Sequence, residues 1–147
     1  MFWNLFTKIP VLIYDFFISK FLTISAHLIV ISHITHLSGS FLDVGCGTGA
    51  PLQKIISTLK SHYEKIVGID LHPLYTKEAQ KLFEKDDQVS IYEMNFYDIR
   101  NLKEKFNFIF FSFSFMLMPD QVHAIQVAKS VLKNEGKIGF LLTLNKK

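Results

Sequence analysis

The sequence predicts an α/β fold, a parallel sheet layered with helices, and three observations carry that prediction. From about Gly39 onward, short apolar runs alternate with stretches of helical period. The first run ends in a glycine-rich turn, Gly45-Cys46-Gly47-Thr48-Gly49, that opens a helix. Asp43, Asp70 and Asp98 fall at or just past the ends of the first three runs. Strands and helices alternating at these lengths imply parallel strands with right-handed crossovers.

The elements follow in order. Ser40–Val44 is a short apolar strand. Ala50–Leu59 carries Leu52, Ile55, Ile56 and Leu59 at helical spacing. Lys65–Ile69 is a strand entered from Tyr63–Glu64. A helix runs from Pro73 to about Glu84, with Pro73 in the first turn, where its missing N–H costs nothing. Val89–Met94 is the third strand. Phe106–Ser112 is apolar throughout, as expected of a strand covered on both faces. Gln121–Leu132 is a helix whose stripe reads Val122, Ile125, Ala128 and Leu132. Asn134–Gly136 is a turn, and Lys137–Leu144 is the fifth strand. There is no internal repeat, low-complexity tract or dividing linker.

The segment ahead of the sheet is different. From Ile9 to Ile34 the chain is nearly continuous in apolar residues. Asp15, Lys20 and His27 interrupt it, and the longest charge-free stretch before His27 is Phe21–Ala26. A spanning helix needs about 20 uninterrupted apolar residues, and a centred charge costs on the order of 3 kcal/mol. No basic segment or small-residue cleavage site marks a signal peptide. The stripe Phe17, Phe21, Ile24, Leu28, Ile31 suits a helix that is apolar nearly all round. Residues 1–38 are therefore expected to form a helical segment that caps one side of a domain spanning 39–147. The first reading buries this helix on the domain; the second lays it on a membrane surface.

Composition narrows the function. The chain has 147 residues, the size of one domain. Apolar residues make up 49% and charged residues 20%, which excludes general disorder. The formal net charge is only +3, without a basic cluster, so no nucleic-acid partner is expected. Cys46 is the single cysteine, which excludes an internal disulfide framework and a four-cysteine zinc site. His33 and His36 have a ligand-like spacing, but no acid or cysteine completes a metal site.

The chemistry concentrates at the first turn. Gly45, Gly47 and Gly49 permit positive φ, leave one side of the loop bare and bring backbone N–H groups near a ligand. Asp43 sets a carboxylate beside the loop. Asp70 lies 21 residues beyond Gly49, the spacing of an acid that accepts from ribose hydroxyls. Asp98 follows the third strand. Open α/β sheets bind ligands at such strand ends. Each residue also has a plain structural use: glycine in a turn, Asp70 as a helix cap, Asp98 in a turn. Their joint placement is what favours a site.

With these residues in view, Leu42–Gly49 resembles motif I of the class I S-adenosylmethionine-dependent methyltransferases. Ile69–Asp70 resembles their ribose-binding acid, and Asp98 the acid that approaches the adenine amino group. Phe106-Asn107-Phe108-Ile109 resembles the fourth motif, and Val131–Lys137 the turn before the fifth strand. Tyr14-Asp15 is similar to a tyrosine-bearing helix that closes over the cofactor. The resemblance covers roughly Phe41 to Leu144. It implies a doubly wound, Rossmann-like, mostly parallel sheet in the order 3-2-1-4-5, with helices on both faces and the last family strands absent.

It also implies S-adenosylmethionine as cofactor, held by Asp43, by Gly45, Cys46, Gly47, Thr48 and Gly49 of the loop, and by Asp70 and Asp98. Leu71, beside Asp70, and Phe111, in the fourth strand, complete the set. The chain departs from the pattern where Asn107 replaces an acid and where Met116 and Leu117 replace paired histidines. It names no catalytic residue and no metal. Methyl transfer needs no protein nucleophile, because the donor carbon is already activated, and needs a general base only where the acceptor must lose a proton.

A nicotinamide enzyme is the first competitor, since Gly45-x-Gly47-x-x-Ala50 fits the looser dinucleotide pattern. Gly49, Pro51, Asp43 and Asp98 oppose it, because a pyrophosphate disfavours an acid beside its loop. The expected function is methyl transfer to a small or lipid-like acceptor, in the cytoplasm or peripheral to a membrane. The alternative is a non-catalytic module of the same fold that binds cofactor or a protein partner. Pairing through the N-terminal helix or the fifth-strand edge is a further expectation.

Overall fold

The computed structural model describes residues 37–142. The expected N-terminal helix, Tyr14, Asp15, His27, His33 and His36, and the end of the fifth strand beyond Leu142, lie outside the described residues. Five parallel strands form one sheet in the order β3-β2-β1-β4-β5. They are β1 Gly39–Val44, β2 Tyr63–Asp70, β3 Val89–Glu93, β4 Phe106–Ser112 and β5 Leu132–Leu141. Three helices connect them: α1 Ala50–His62, α2 Pro73–Leu82 and α3 Gln121–Val131. The expected strand order and layers are present.

Strand alternation divides the core into two layers. Phe41, Ile66, Phe108 and Phe110 face one way and meet Leu52, Ile55 and Leu59 of α1 and Ala79 of α2. Leu42, Val67, Ile109 and Phe111 face the other way and meet Ala124, Val127, Ala128 and Val131 of α3. Strands buried on both faces must be apolar throughout. This accounts for much of the phenylalanine, as in the stacked pair Phe41 and Phe108, with ring centroids 5.7 Å apart.

Several boundaries differ from expectation. α1 continues to His62, where Lys60 and His62 sit in the last turn and favour the negative helix end. α1 passes into β2 without a loop, because Tyr63 turns extended and buries its ring edge-on against Phe41. The Asn134–Gly136 turn is absorbed into β5 as a bulge: Phe106 pairs with Leu132, but Phe108 pairs with Lys137. Glu135, at φ 62°, carries that irregularity.

The expected stripe on α3 is corrected. Val122 and Ile125 are exposed, at 70% and 40%, and the buried face is Ala124, Val127, Ala128 and Val131. Sheet contact selected the small residues, because alanines let the helix approach closely. Two short 3-10 helices, Phe96–Leu102 and Phe115–Leu117, were not expected. Among the described residues, no helix is long and apolar enough to cross a membrane.

Candidate cofactor site

β1 lies between β2 and β4, so the chain leaves it where the sheet changes direction of winding. The loop after β1 is built by its glycines. Gly45, Gly47 and Gly49 all have positive φ. A Cβ on Gly45 would lie 2.5 Å from Cβ of Ser114, so only glycine fits there. A Cβ on Gly47 would meet nothing within 4 Å, which makes Gly47 the open face of the loop. Gly49 caps α1 in the left-handed conformation, and Pro51 follows in the first turn.

Two backbone bonds anchor the loop to β2. The Gly45 and Cys46 N–H groups both donate to the Ile69 carbonyl, at 2.8 and 3.0 Å. Asp70 extends this anchor. One carboxylate oxygen accepts from the Gly47 N–H at 2.9 Å, and the other from the His72 N–H at 2.9 Å. A carboxylate has about four acceptor positions. Asp70 therefore organises the loop and keeps acceptor capacity on both oxygens.

Asp43 sits beneath this arrangement, 4% exposed, and its Oδ1 is buried without a hydrogen-bond partner. Burial, and then the Asp70 charge, push its carboxyl up to about 7. Cys46 is buried beside it, fitted against the bare Cα of Gly68, where a Cβ would come within 3.1 Å of Sγ. Burial first, then Asp43 and Asp70, raise the thiol well above its ordinary range. A thiol held protonated is a packing group, not a nucleophile.

A cavity of about 340 Å³ opens beside the loop at the carboxyl ends of β1 to β4. That volume is within the range of small-molecule sites, roughly 300–1,000 Å³. Of the expected residues, Gly45, Asp70 and Leu71 line it. Asp43, Cys46 and Thr48 are buried, and Gly49 packs against Ala79 and Phe83.

Asp98 and Phe111 do not line the cavity. The 3-10 helix begins directly after β3, with Asn95 as its cap, and carries Asp98 to an exposed position off the cavity wall. Asn95 and Tyr97 line the cavity instead. Phe111 is 1% exposed and packs in the core, edge-on to Phe96 at 5.0 Å and stacked on Phe140 at 5.4 Å. The residues after β4 that line the cavity are Ser114, Leu117, Met118 and Pro119. Sequence reasoning missed them because an irregular segment has no period. The signal for the turn after β3 was Asn95, a strong capping residue type.

Asn107, the departure in the fourth motif, lies at the other end of the sheet. Its Oδ1 accepts from the Ser40 N–H at 2.9 Å, at the start of β1. The residue is structural and far along the strand from the cavity.

Comparison with known proteins agrees with this geometry. The family described as "Methyltransferase domain" matches residues 41–136. No curated protein sequence matches the chain. An S-adenosylmethionine-dependent methyltransferase from Clostridium acetobutylicum superposes with a TM-score of 0.66 at 19% identity, covering 95% of this chain and 57% of that one. The plantazolicin methyltransferase BpumL, in complex with a triazolic desmethylPZN analog and SAH, gives 0.70 at 21% identity, covering 85% and 48%. The 4+2 cyclase SpnF gives 0.66 at 22% identity, covering 78% and 43%. The chain thus spans about half the length of the solved structures it matches. By its family match, its five-stranded parallel sheet and its glycine loop, the chain belongs to the methyltransferase-domain family and has the class I, Rossmann-like fold.

Proposed function

We propose that the cavity binds S-adenosylmethionine and that the domain transfers its methyl group to a small, apolar or lipid-like acceptor. The observation that carries this reading is the cavity bounded by both Gly45 and Asp70 at the strand ends. The residues suit the cofactor. Asp70 retains acceptor positions for two ribose hydroxyls. The bare loop at Gly47 leaves room for a close ligand. The buried, unpartnered Oδ1 of Asp43 suits a neighbouring cationic ligand group better than a pyrophosphate.

When bound, S-adenosylmethionine supplies a methyl group on a sulfonium, already activated for displacement. The chain's own part is alignment and exclusion of water. Leu117, Met118 and Pro119 form an apolar wall. Leu71 and Leu117 line the cavity and are about half exposed, at 53% and 54%, which favours an apolar acceptor near the opening.

The test is transfer of labelled methyl from S-adenosylmethionine to a panel of small apolar hydroxyl, amine and thiol acceptors, beside short nucleic acids and peptides. Label on an apolar small molecule supports the reading. Label only on nucleic acid or peptide contradicts the acceptor class. Ligand binding without transfer to any acceptor supports the non-catalytic module instead.

A further inference from the structure

We propose that Tyr97 is a positioning residue for the cavity, its hydroxyl pinning the wall of Leu117, Met118 and Pro119 in the shape that receives the cofactor. The inference rests on reading the cavity as a cofactor site. The Tyr97 hydroxyl donates to the Asp120 carbonyl at 2.8 Å and accepts from the Asp120 N–H at 3.1 Å. Both groups belong to the backbone of one residue. The Asp120 side chain is engaged elsewhere, accepting from the His123 N–H at 2.9 Å to cap α3. Tyr97 therefore grips the peptide at the entry to α3 independently of the helix cap.

The wall has a second pin at its other end. Ser114 is 8% exposed, and its hydroxyl donates to the Val44 carbonyl at the tip of β1. Between the pins, the Leu117 N–H donates to the Ser114 carbonyl at 3.0 Å, the Met118 N–H to the Phe115 carbonyl at 3.2 Å, and the Gln121 side-chain amide to the Phe115 carbonyl at 3.4 Å. The Phe115 ring packs on the sheet, edge-on to Phe111 at 5.5 Å and to Phe140 at 4.7 Å, so the hydroxyl pins act on the cavity-lining residues that follow it. Met116 and Leu117 are about half exposed, so packing leaves much of their surface uncovered. The hydroxyl of Tyr97, which itself lines the cavity, supplies a tie from the end of β3 to this wall. Loss of the hydroxyl leaves the ring, which lies 6.4 Å from Phe96 and 5.1 Å from His123. Ligand binding then has to order a wall that the native chain presents already ordered, and affinity falls by that cost.

The experiment compares Tyr97→Phe, Ser114→Ala and Asp120→Ala in the full chain. Each is measured by calorimetric titration with S-adenosylhomocysteine, amide exchange over residues 114–121 and thermal unfolding. Tyr97→Phe is expected to weaken binding about tenfold, equal to about 1.4 kcal/mol, and to raise exchange across the wall. Ser114→Ala is expected to loosen the same amides from the other end. Asp120→Ala, which keeps both backbone bonds to Tyr97, is expected to lower the melting temperature while affinity stays within about twofold of wild type. Unchanged affinity and exchange in Tyr97→Phe would overturn the proposal. So would an equal affinity loss in Asp120→Ala, because the helix cap would then be the cause. A wild-type chain that takes up no ligand overturns the cofactor reading instead, and the exchange data still decide whether the hydroxyl holds the wall. If Tyr97→Phe does not fold, unaltered exchange in Ser114→Ala counts against a wall held at two points.

Discussion

Asp43 costs the protein stability at neutral pH. Its carboxyl titrates near 7 when folded and near 3.8 as the free side chain, because burial and the Asp70 charge disfavour ionisation. The folded state therefore binds more protons than the unfolded one between these values. Stability from this group is greatest below about pH 4 and is lost as pH rises through about 7. The full difference is on the order of 4 kcal/mol. Asp43→Asn, which removes the charge and keeps the shape, should raise the melting temperature at pH 8, with the advantage shrinking toward pH 5. Thermal unfolding of the two chains across that range checks the sign, and a gap that is constant with pH contradicts it. At this scale much was legible. Asp43, Gly45 and Asp70 were legible from spacing, because a strand end is one place in sequence and in space, whereas Leu71 came with the family resemblance. Asp98 lies off the cavity wall because it sits inside the 3-10 helix Phe96–Leu102, which no apolar period announces.

Elements add what single residues do not show. The loop between β1 and α1 uses its glycines for two different reasons, and substitution separates them. Gly45→Ala meets Ser114 at 2.5 Å at φ 81°, so it should destabilise the fold by about 2 kcal/mol or more. Gly47→Ala meets nothing at φ 57°, so it should cost only about 1 kcal/mol in stability yet weaken cofactor binding, because the methyl enters the bare face. Denaturant unfolding and a binding titration on both variants test the division. Equal effects of the two on stability would contradict it. The five strands and three α-helices among the described residues were all legible, since period two and period 3.6 are distinct signals, while the two 3-10 helices were not. The face of α3 was not. Val122 and Ile125 fit a helical stripe as well as Val127 and Val131 do, and only the close approach to the sheet selects the latter. Val122→Lys should accordingly change stability by less than about 0.5 kcal/mol, and Val127→Ala should cost about 2 kcal/mol. The reverse order in denaturant midpoints would put the wrong face on the sheet.

The whole molecule joins these parts at one end of the sheet. Burial on both faces of β1, β2 and β4 fixes the strand order, and the order brings the ends of β1, β2, β3 and β4 around one cavity. The loop contributes backbone, β2 an acid, the turn after β3 an amide and a phenol, and the segment after β4 an apolar wall. The amino end of the sheet carries the structural partner Asn107 instead. The same fold supports a cyclase as well as methyltransferases among its structural neighbours, so the site and not the fold must carry the function. The direct claim is that the cavity organised by Asp70 takes S-adenosylmethionine or its demethylated product. Calorimetric titration of wild type, Asp70→Ala and Asn107→Ala with S-adenosylhomocysteine tests it. The account predicts saturable binding by wild type, a loss of about one to two decades in Asp70→Ala because charge-assisted hydrogen bonds are worth roughly 1.5–3 kcal/mol, and unchanged binding in Asn107→Ala. Folded wild-type protein that gives no saturable heat at millimolar ligand, or two variants with equal affinity, would contradict it.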